Sequence, residues 1–118
     1  MVRDVAYQPE RGDFIWLDFT PQAGTEQAGR RPALVLSPRD FNIATGLVVV
    51  CPLTSTQTGS KFEVPVPRGT KLSGVVLSHQ FRTLDWLARN AQFHSKANED
   101  LMCEILGRIK AILSIEIQ

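Results

Sequence analysis

Net charge, cysteine and long apolar runs are all scarce in this sequence. Its 13 Lys and Arg stand against 12 Asp and Glu, a formal net charge of +1. Bulk positive charge therefore cannot be what holds the protein to a nucleic acid, and any such binding has to come from a local cluster of arginines. The two cysteines, Cys51 and Cys103, are isolated, without metal-ligand spacing. Both fall in apolar surroundings, where a reduced, buried thiol is expected. No CxxC, HExxH, carboxylate cluster or glycine-rich phosphate loop occurs, which speaks against metal or nucleotide chemistry, so no metal and no cofactor are expected. The longest wholly apolar stretch, Leu47 to Cys51, is far short of the roughly 20 residues of a membrane span. Met1 to Gln8 carries Arg3 and Asp4 and no apolar run, so no signal peptide is read there and a cytoplasmic protein without membrane attachment is expected.

What is present is the material of one compact domain over residues 1–118, with 43% hydrophobic and 21% charged residues, long enough for a real core and too short for two. Residues 1–10 read as a loose N-terminal arm. Phe14 to Phe19 is aromatic and β-branched and reads as a strand. Pro21 to Arg31, with its proline and glycines, reads as a long loop. Ala33 to Leu36 and Leu47 to Val50 are continuous apolar runs, the pattern of central strands covered on both faces. Pro38 to Thr45 between them suits a short helical turn. After a second polar loop, Thr54 to Lys61, the alternating Phe62 to Val66 contains Pro65 and suits only an edge strand or bulge. Gly74 to Ser78 and Leu87 to Phe93 read as two more strands.

The period then changes. Leu101, Met102, Ile105, Leu106, Ile109, Ile112 and Leu113 form an apolar stripe at helical spacing. Asn98 is placed to cap that helix, with Glu99 and Asp100 in its first turn and Arg108 and Lys110 toward its far end. Several short strands and one terminal helix predict a mainly β fold, a small curved sheet or barrel with the helix packed on it.

Five segments taken in order say more. Gly12-Asp13-Phe14-Ile15-Trp16 is followed by Gly24-Thr25-Glu26-Gln27-Ala28-Gly29-Arg30-Arg31-Pro32, then Val35-Leu36-Ser37-Pro38, Cys51-Pro52-Leu53-Thr54-Ser55, and Gly74-Val75-Val76-Leu77-Ser78 with Gln80, Arg82 to Asp85 and Ala88-Arg89. This order resembles the MazF/PemK family of toxin ribonucleases, from about Gly12 to about Leu113. The resemblance implies an SH3-like or CcdB-like small β-barrel, a homodimer, and metal-free cleavage of single-stranded RNA at short preferred sequences. The RNA's own 2′-hydroxyl would be the nucleophile, leaving a 2′,3′-cyclic or 3′ phosphate and a 5′-hydroxyl. It also implies a cognate antitoxin whose acidic, disordered tail covers the RNA site, and DNA binding through the toxin–antitoxin complex.

The candidate residues carry alternatives of their own. Arg31 precedes Pro32, so its backbone is biased to an extended conformation. Its planar guanidinium suits a phosphate in transfer, or a surface ion pair with a carboxylate such as Glu26. Arginine is a poor proton donor, so charge stabilisation is its first role. Thr54, at the end of a strand, can donate to a phosphoryl oxygen or cap a turn; the resemblance places its counterpart in the catalytic pair with the arginine. Ser55 is a second donor. Glu26, desolvated by burial, can act as general base, or it orients Arg31 or holds the loop. His79 stands where several family members have an acidic residue, and is either an acid, base or stacking group or an idle rim residue. Gln80 and Arg30 belong to the same RNA-contacting set. Arg82 either reaches an RNA phosphate or pairs with Asp85 in a turn, and Trp86 either stacks on a base or packs at the dimer seam. His94 reads as a surface residue, and Lys61 and Arg68 as loop charges. A gyrase-type poison on the same barrel is the rival reading, but gyrase-directed relatives resemble one another in a tryptophan near the C-terminus, and Ser114 to Gln118 holds no aromatic.

Overall fold

A computed structural model describes residues 7–20 and 24–114. Seven strands form one antiparallel sheet: β1 (Asp13–Asp18), β2 (Arg30–Val35), β3 (Leu47–Thr54), β4 (Glu63–Pro65), β5 (Val75–Leu77), β6 (Arg82–Asp85) and β7 (Gln92–Lys96). Two helices, α1 (Arg39–Thr45) and α2 (Glu99–Leu113), complete it. The strand order is β4-β5-β3-β2-β1-β7, with β6 paired to the start of β3. The sheet curls without closing, because β4 and β7 stand at opposite ends of that order; "barrel" fits the shape loosely. Pro65 sits on an edge strand, where its missing N–H breaks no ladder.

Side chains alternate across the strands, so one sheet builds two apolar clusters. Phe14, Leu34, Cys51, Leu53, Val64 and Val76 face one side, where Leu101, Met102 and Ile105 of α2 cover them. Ile15, Leu17, Ala33, Val35, Val48 and Val50 face the other, with Leu84 and Trp86. The Asn98 side chain accepts from the Leu101 N–H at 2.8 Å and starts α2 where its sequence indicates. The helical stripe is broader than one buried face, however. Leu106 and Leu113 are exposed and, with Ile109, line an apolar groove against Phe41 of α1 and Phe81. Cys51 is buried, and burial pushes its thiol up to about 12, well out of the reactive range. Cys103, expected to be buried, is exposed on α2.

Three expected elements differ. The strand read at Leu87 to Phe93 begins only at Gln92. Before it lies a tight turn in which the Asp85 carboxylate accepts from the Ala88 N–H at 2.9 Å. Asn90 takes a φ of 58° there, and the Ala91 N–H closes back on the Trp86 carbonyl at 2.9 Å. Asn tolerates the left-handed conformation that ends the strand pattern. Conversely, the Arg82–Asp85 stretch read as a turn is β6, paired residue for residue with Leu47 to Val50. The loop read at Pro21 to Arg31 ends one residue earlier than Arg30, which opens β2, and its residues 21–23 lie outside the described residues.

The expected loose arm is anchored where it is described; its residues 1–6 lie outside the described residues. Tyr7 donates its hydroxyl to the Asp13 carboxylate. Burial, followed by that hydrogen bond and the Asp13 charge, pushes the phenol above its ordinary range. The Pro9 carbonyl accepts from the buried Asn42 side chain at 2.9 Å. Asn42 also donates to the Ser37 carbonyl at 3.0 Å and accepts from the Ser37 hydroxyl at 2.6 Å. A fully buried amide is tolerated because its hydrogen-bonding capacity is met.

Candidate active site

Register determines what meets at the end of the sheet. In the β2–β3 ladder Ala33 lies across from Pro52 and Leu34 from Cys51. Continuing that antiparallel register by two residues sets Arg31 across from Thr54, on the face that carries Ala33 and Pro52. Beyond the apolar cluster this face has run out of covering elements, so its next two side chains emerge at the surface. Arg31 and Thr54 are both half-buried and line one groove of about 500 Å³ with Arg30, Ser55 and Lys71. Two residues remote in sequence are thereby brought together, as expected.

The Arg31 guanidinium is held by backbone. Its Nε donates to the Ala28 carbonyl at 2.9 Å and one Nη to the Leu53 carbonyl at 3.1 Å. No ion pair to Arg31 is found among the described residues, so the fork is oriented by two neutral acceptors and keeps its full charge. Three of its five N–H donors remain for a ligand. Thr54 takes its turn-capping reading. Its Oγ1 accepts from the Thr56 N–H at 3.2 Å, shaping the turn, and the hydroxyl hydrogen is left to donate into the groove. Downstream, the Glu63 carboxylate pins the loop that rims the groove, accepting from the Thr58 hydroxyl at 2.8 Å and the Gly59 N–H at 3.0 Å. The Thr58 side-chain hydrogen bond leads the causes that hold Glu63 below the ordinary carboxylate range.

Arg30 lines the same groove but is bonded structurally. It pairs with Asp18 at 3.1 Å and donates to the Asn90 carbonyl at 2.9 Å and the Gln92 side chain at 3.2 Å. Hydrogen bonds from Asn90 and then Arg30 hold the Asp18 carboxyl below its usual range. The network ties β2 to β1 and β7 beside the groove.

Glu26, His79, Gln80 and Arg82 gather elsewhere, around a smaller cavity of about 290 Å³ with Phe19, Thr25 and Pro52. Glu26 is exposed, so the burial expected of it is absent. Gln80 accepts from the Gln27 N–H at 3.2 Å and so fastens the β1–β2 loop to the 3-10 turn Ser78–Gln80. The His79 ring lies against Phe62, centroids 5.3 Å apart. The expected Arg82–Asp85 pairing is not formed: Arg82 lies over the Phe19 ring at 6.0 Å, and one of its Nη atoms is buried with no hydrogen-bond partner. A buried donor left unmade costs about 1–3 kcal/mol. Neighbouring residues of the same two chain segments wall the two cavities: Pro52 the smaller and Leu53 to Ser55 the larger, Thr25 to Gln27 the smaller and Arg30 to Pro32 the larger.

Trp86 is a correction. It is 7% exposed, sits in the second apolar cluster and donates its Nε1–H to the Asn42 carbonyl at 2.8 Å, so its ring is unavailable to a base. His94 is half-buried rather than a plain surface residue, edge-on to Trp16 at 6.0 Å. Among the described residues no three His, Cys, Asp or Glu gather as metal ligands would, and no helix is long and apolar enough to cross a membrane.

Sequence reasoning missed Gly74 as a site residue. At φ 105°, it lets β5 approach Thr54 so closely that a Cβ would stand 2.4 Å from the Thr54 carbonyl oxygen and 3.2 Å from the Ser55 Cα. Backbone cannot yield as a flexible side chain can. Gly74→Ala is therefore expected to cost about 1–3 kcal/mol through φ strain and this clash, measurable as a lowered urea midpoint at constant slope. A midpoint equal to that of the parent protein contradicts this reading.

Comparison with known proteins bears on the family and the fold. The family model of PemK-like, MazF-like toxins of type II toxin–antitoxin systems matches residues 10–113. The endoribonuclease toxin MazF of Escherichia coli K12 is 47% identical over 85 residues, 72% of this chain and 76% of that protein. The crystal structure of MazF from Deinococcus radiodurans superposes with a TM-score of 0.89 at 48% identity, covering 92% of this chain and 99% of that one. A MazE–MazF crystal structure from the same organism gives a TM-score of 0.83 at 47% identity, covering 93% and 99%. With its sheet, its helix and nearly its whole length matched, the chain belongs to the PemK-like, MazF-like family of toxins of type II toxin–antitoxin systems.

Proposed function

We propose that this toxin is an endoribonuclease that cleaves single-stranded RNA in the Arg31–Thr54 groove, without a metal, at short preferred sequences. One observation carries the reading: an arginine fork oriented by two backbone carbonyls and neutralised by no described carboxylate shares a groove with a threonine hydroxyl that has a hydrogen to give. Such a pair suits a phosphodiester. As the RNA 2′-oxygen attacks phosphorus, negative charge grows on the non-bridging oxygens, and preorganised donors stabilise that charge more than the ground state. The 2′-hydroxyl gives up its proton, the new O2′–P bond forms, and the P–O5′ bond breaks as the departing 5′-oxygen takes a proton from solvent water. The products are a 2′,3′-cyclic phosphate, opened by water to a 3′ phosphate, and a 5′-hydroxyl. Arg31 and Thr54 hold the phosphoryl oxygens, with Ser55 beside them.

The smaller cavity takes the neighbouring nucleotide. Arg82 lines it as a cation for a phosphate, the His79 ring, backed by Phe62, offers a face for stacking, and Gln80 and Arg30 frame the entrances. Glu26 lines this cavity and receives the 2′-hydroxyl proton from it. A cognate antitoxin with an acidic, disordered tail blocks the reaction by covering the cations of the groove, Arg31 and Lys71 among them. The proteins named endoribonuclease and the MazE–MazF complexes among the relatives support this reading.

The functional unit is a homodimer. Phe41 and Leu106, each 38% exposed, and Leu113, 68% exposed, line one apolar groove of about 450 Å³ between α1 and α2. An apolar patch of this kind on a small toxin suits a second copy.

Incubating the purified protein with a long single-stranded RNA in EDTA is expected to yield fragments with 5′-hydroxyl ends. Arg31→Ala should lower kcat by about 10²–10³-fold, the loss typical of one preorganised oxyanion donor. Intact RNA, or Arg31→Ala cutting as fast as the parent protein, contradicts the proposal. For the dimer, light scattering at micromolar concentration should give twice the chain mass and revert to the single mass in Leu106→Asp. A single mass for the parent protein contradicts the dimer alone.

A further inference from the structure

A second groove, lined by polar and apolar side chains together, lies behind the segment that walls the first. Residues 70–73 separate them: Lys71 lines both the Arg31–Thr54 groove and a further one of about 470 Å³ whose walls include Thr70, Phe93, His94, Ser95 and Lys96. We propose that this second groove holds a phosphate of the same RNA strand beyond the cleavage site, so that the enzyme grips a longer stretch than the nucleotides it cuts between. The proposal rests on the reading of the first groove as the RNA-cleaving site.

Charge accounting favours an anion. Asp13, next to this groove, is 1% exposed, and its carboxylate already takes the Lys96 ammonium at 2.5 Å, the Tyr7 hydroxyl and the Glu10 N–H. Lys96 itself has a side chain 61% exposed, and that bond uses one of its three N–H donors. Lys71 is exposed and pairs with no carboxylate among the described residues. Glu99 and Asp100, in the first turn of α2, do not line the groove. Lys71, Lys96 and Thr70 thus line a groove with no carboxylate in its lining among the described residues, while the Ser95 hydroxyl is hydrogen-bonded with His94 Nδ1 at 2.8 Å. Phosphate is the anion of RNA, and its several acceptor oxygens match several donors.

Continuity favours RNA over other anions. Lys71 is common to both grooves, so a strand that runs from the first into the second passes it. Beside the path stands Phe93, 44% exposed, with the Lys96 ammonium 5.9 Å from its ring centre. An exposed ring next to a cation is the stacking platform by which proteins hold single strands without reading their sequence. With a net charge of only +1, affinity for RNA has to be concentrated in such local tracks rather than spread over the surface.

The test compares a minimal oligonucleotide that the enzyme cuts with the same oligonucleotide extended by several nucleotides, on the 5′ side in one arm and the 3′ side in the other. One extension is expected to raise kcat/KM about tenfold, the worth of one charge-assisted contact, and the other to do nothing. Lys96→Gln should bring the extended-to-minimal ratio close to one. It should also reduce the slope of log(kcat/KM) against log[salt] for the extended substrate by about 0.7, the signature of one single-strand phosphate released. Should Lys96→Gln unfold for want of a partner to Asp13, the exposed Phe93→Ala and Thr70→Val pair is expected to lower the same ratio, with folding checked by thermal melting. Ratios near one in the parent protein for both extensions, or a ratio the variants do not change, overturn the second groove and leave the first intact. An unchanged ratio with weakened binding of an acidic peptide also overturns it, in favour of a protein partner. Failure to cut either oligonucleotide overturns the underlying reading as well.

Discussion

The pairing of β2 with β3 is the constraint on which the candidate chemistry depends. The apolar residues Ala33, Leu34 and Val35 and their partners Pro52, Cys51 and Val50 set that register. A slip of one residue would turn every one of these side chains to the wrong face. The same register carries Arg31 and Thr54 to one side of the sheet, just past the apolar cluster. The site needs no dedicated scaffold of its own, because it is the hydrophilic continuation of a face whose interior part is core. Burial of the core therefore holds the geometry of the groove, and the stability of one is inseparable from the alignment of the other.

Around that register, polar groups are anchored by neutral backbone acceptors rather than by opposite charges. Arg31 is oriented by the carbonyls of Ala28 and Leu53, which position the fork without neutralising it. Arg30, its chain neighbour, is treated oppositely, paired with Asp18 and bonded to β7. Both arginines line the groove, and their partners, a carboxylate for Arg30 and backbone carbonyls for Arg31, separate a structural guanidinium from one that is available to a substrate. The dimensions of the site are set from the other side by Gly74, whose missing side chain allows β5 to lie against the Thr54 carbonyl. Rigid support from strand ends on both flanks is what electrostatic stabilisation of a transferring phosphoryl group requires.

Much of this was legible in the sequence, and the exceptions have physical reasons. The Leu47–Val50 and Ala33–Leu36 runs announce central strands because both faces of the sheet are covered, one by α2 and the other by the apolar side chains that the curled sheet turns together, Phe19, Leu84 and Trp86 among them. Asn98 announces α2 because its side chain has a single good use there. Arg31 and Thr54 were legible as a pair through the ordered motifs of the family, and their half-buried positions in one groove agree. Less legible was what depends on tertiary partners. Trp86 reads as a surface aromatic until Asn42, distant in sequence, supplies an acceptor for its indole N–H. The Leu87–Phe93 stretch looks like a strand because apolar residues dominate it, and only the Asp85 cap and the left-handed Asn90 show that it is a turn. Glu26 sits in the same loop as Arg30 and Arg31 in sequence, yet faces the smaller cavity, since loop direction is set by the Gln27–Gln80 bond. Gly74 carries no side-chain chemistry to notice at all.

The central claim is that Arg31 and Thr54 act on one phosphate as a unit, and a double-mutant cycle on kcat tests it most directly. Arg31→Ala and Thr54→Val would be measured singly and together on the same RNA under single-turnover conditions. Groups that act jointly are strongly non-additive, so the double variant is expected to be about as slow as the slower single one. A double variant slowed by the full product of the two single effects would mean that the two side chains act independently, and would contradict the account.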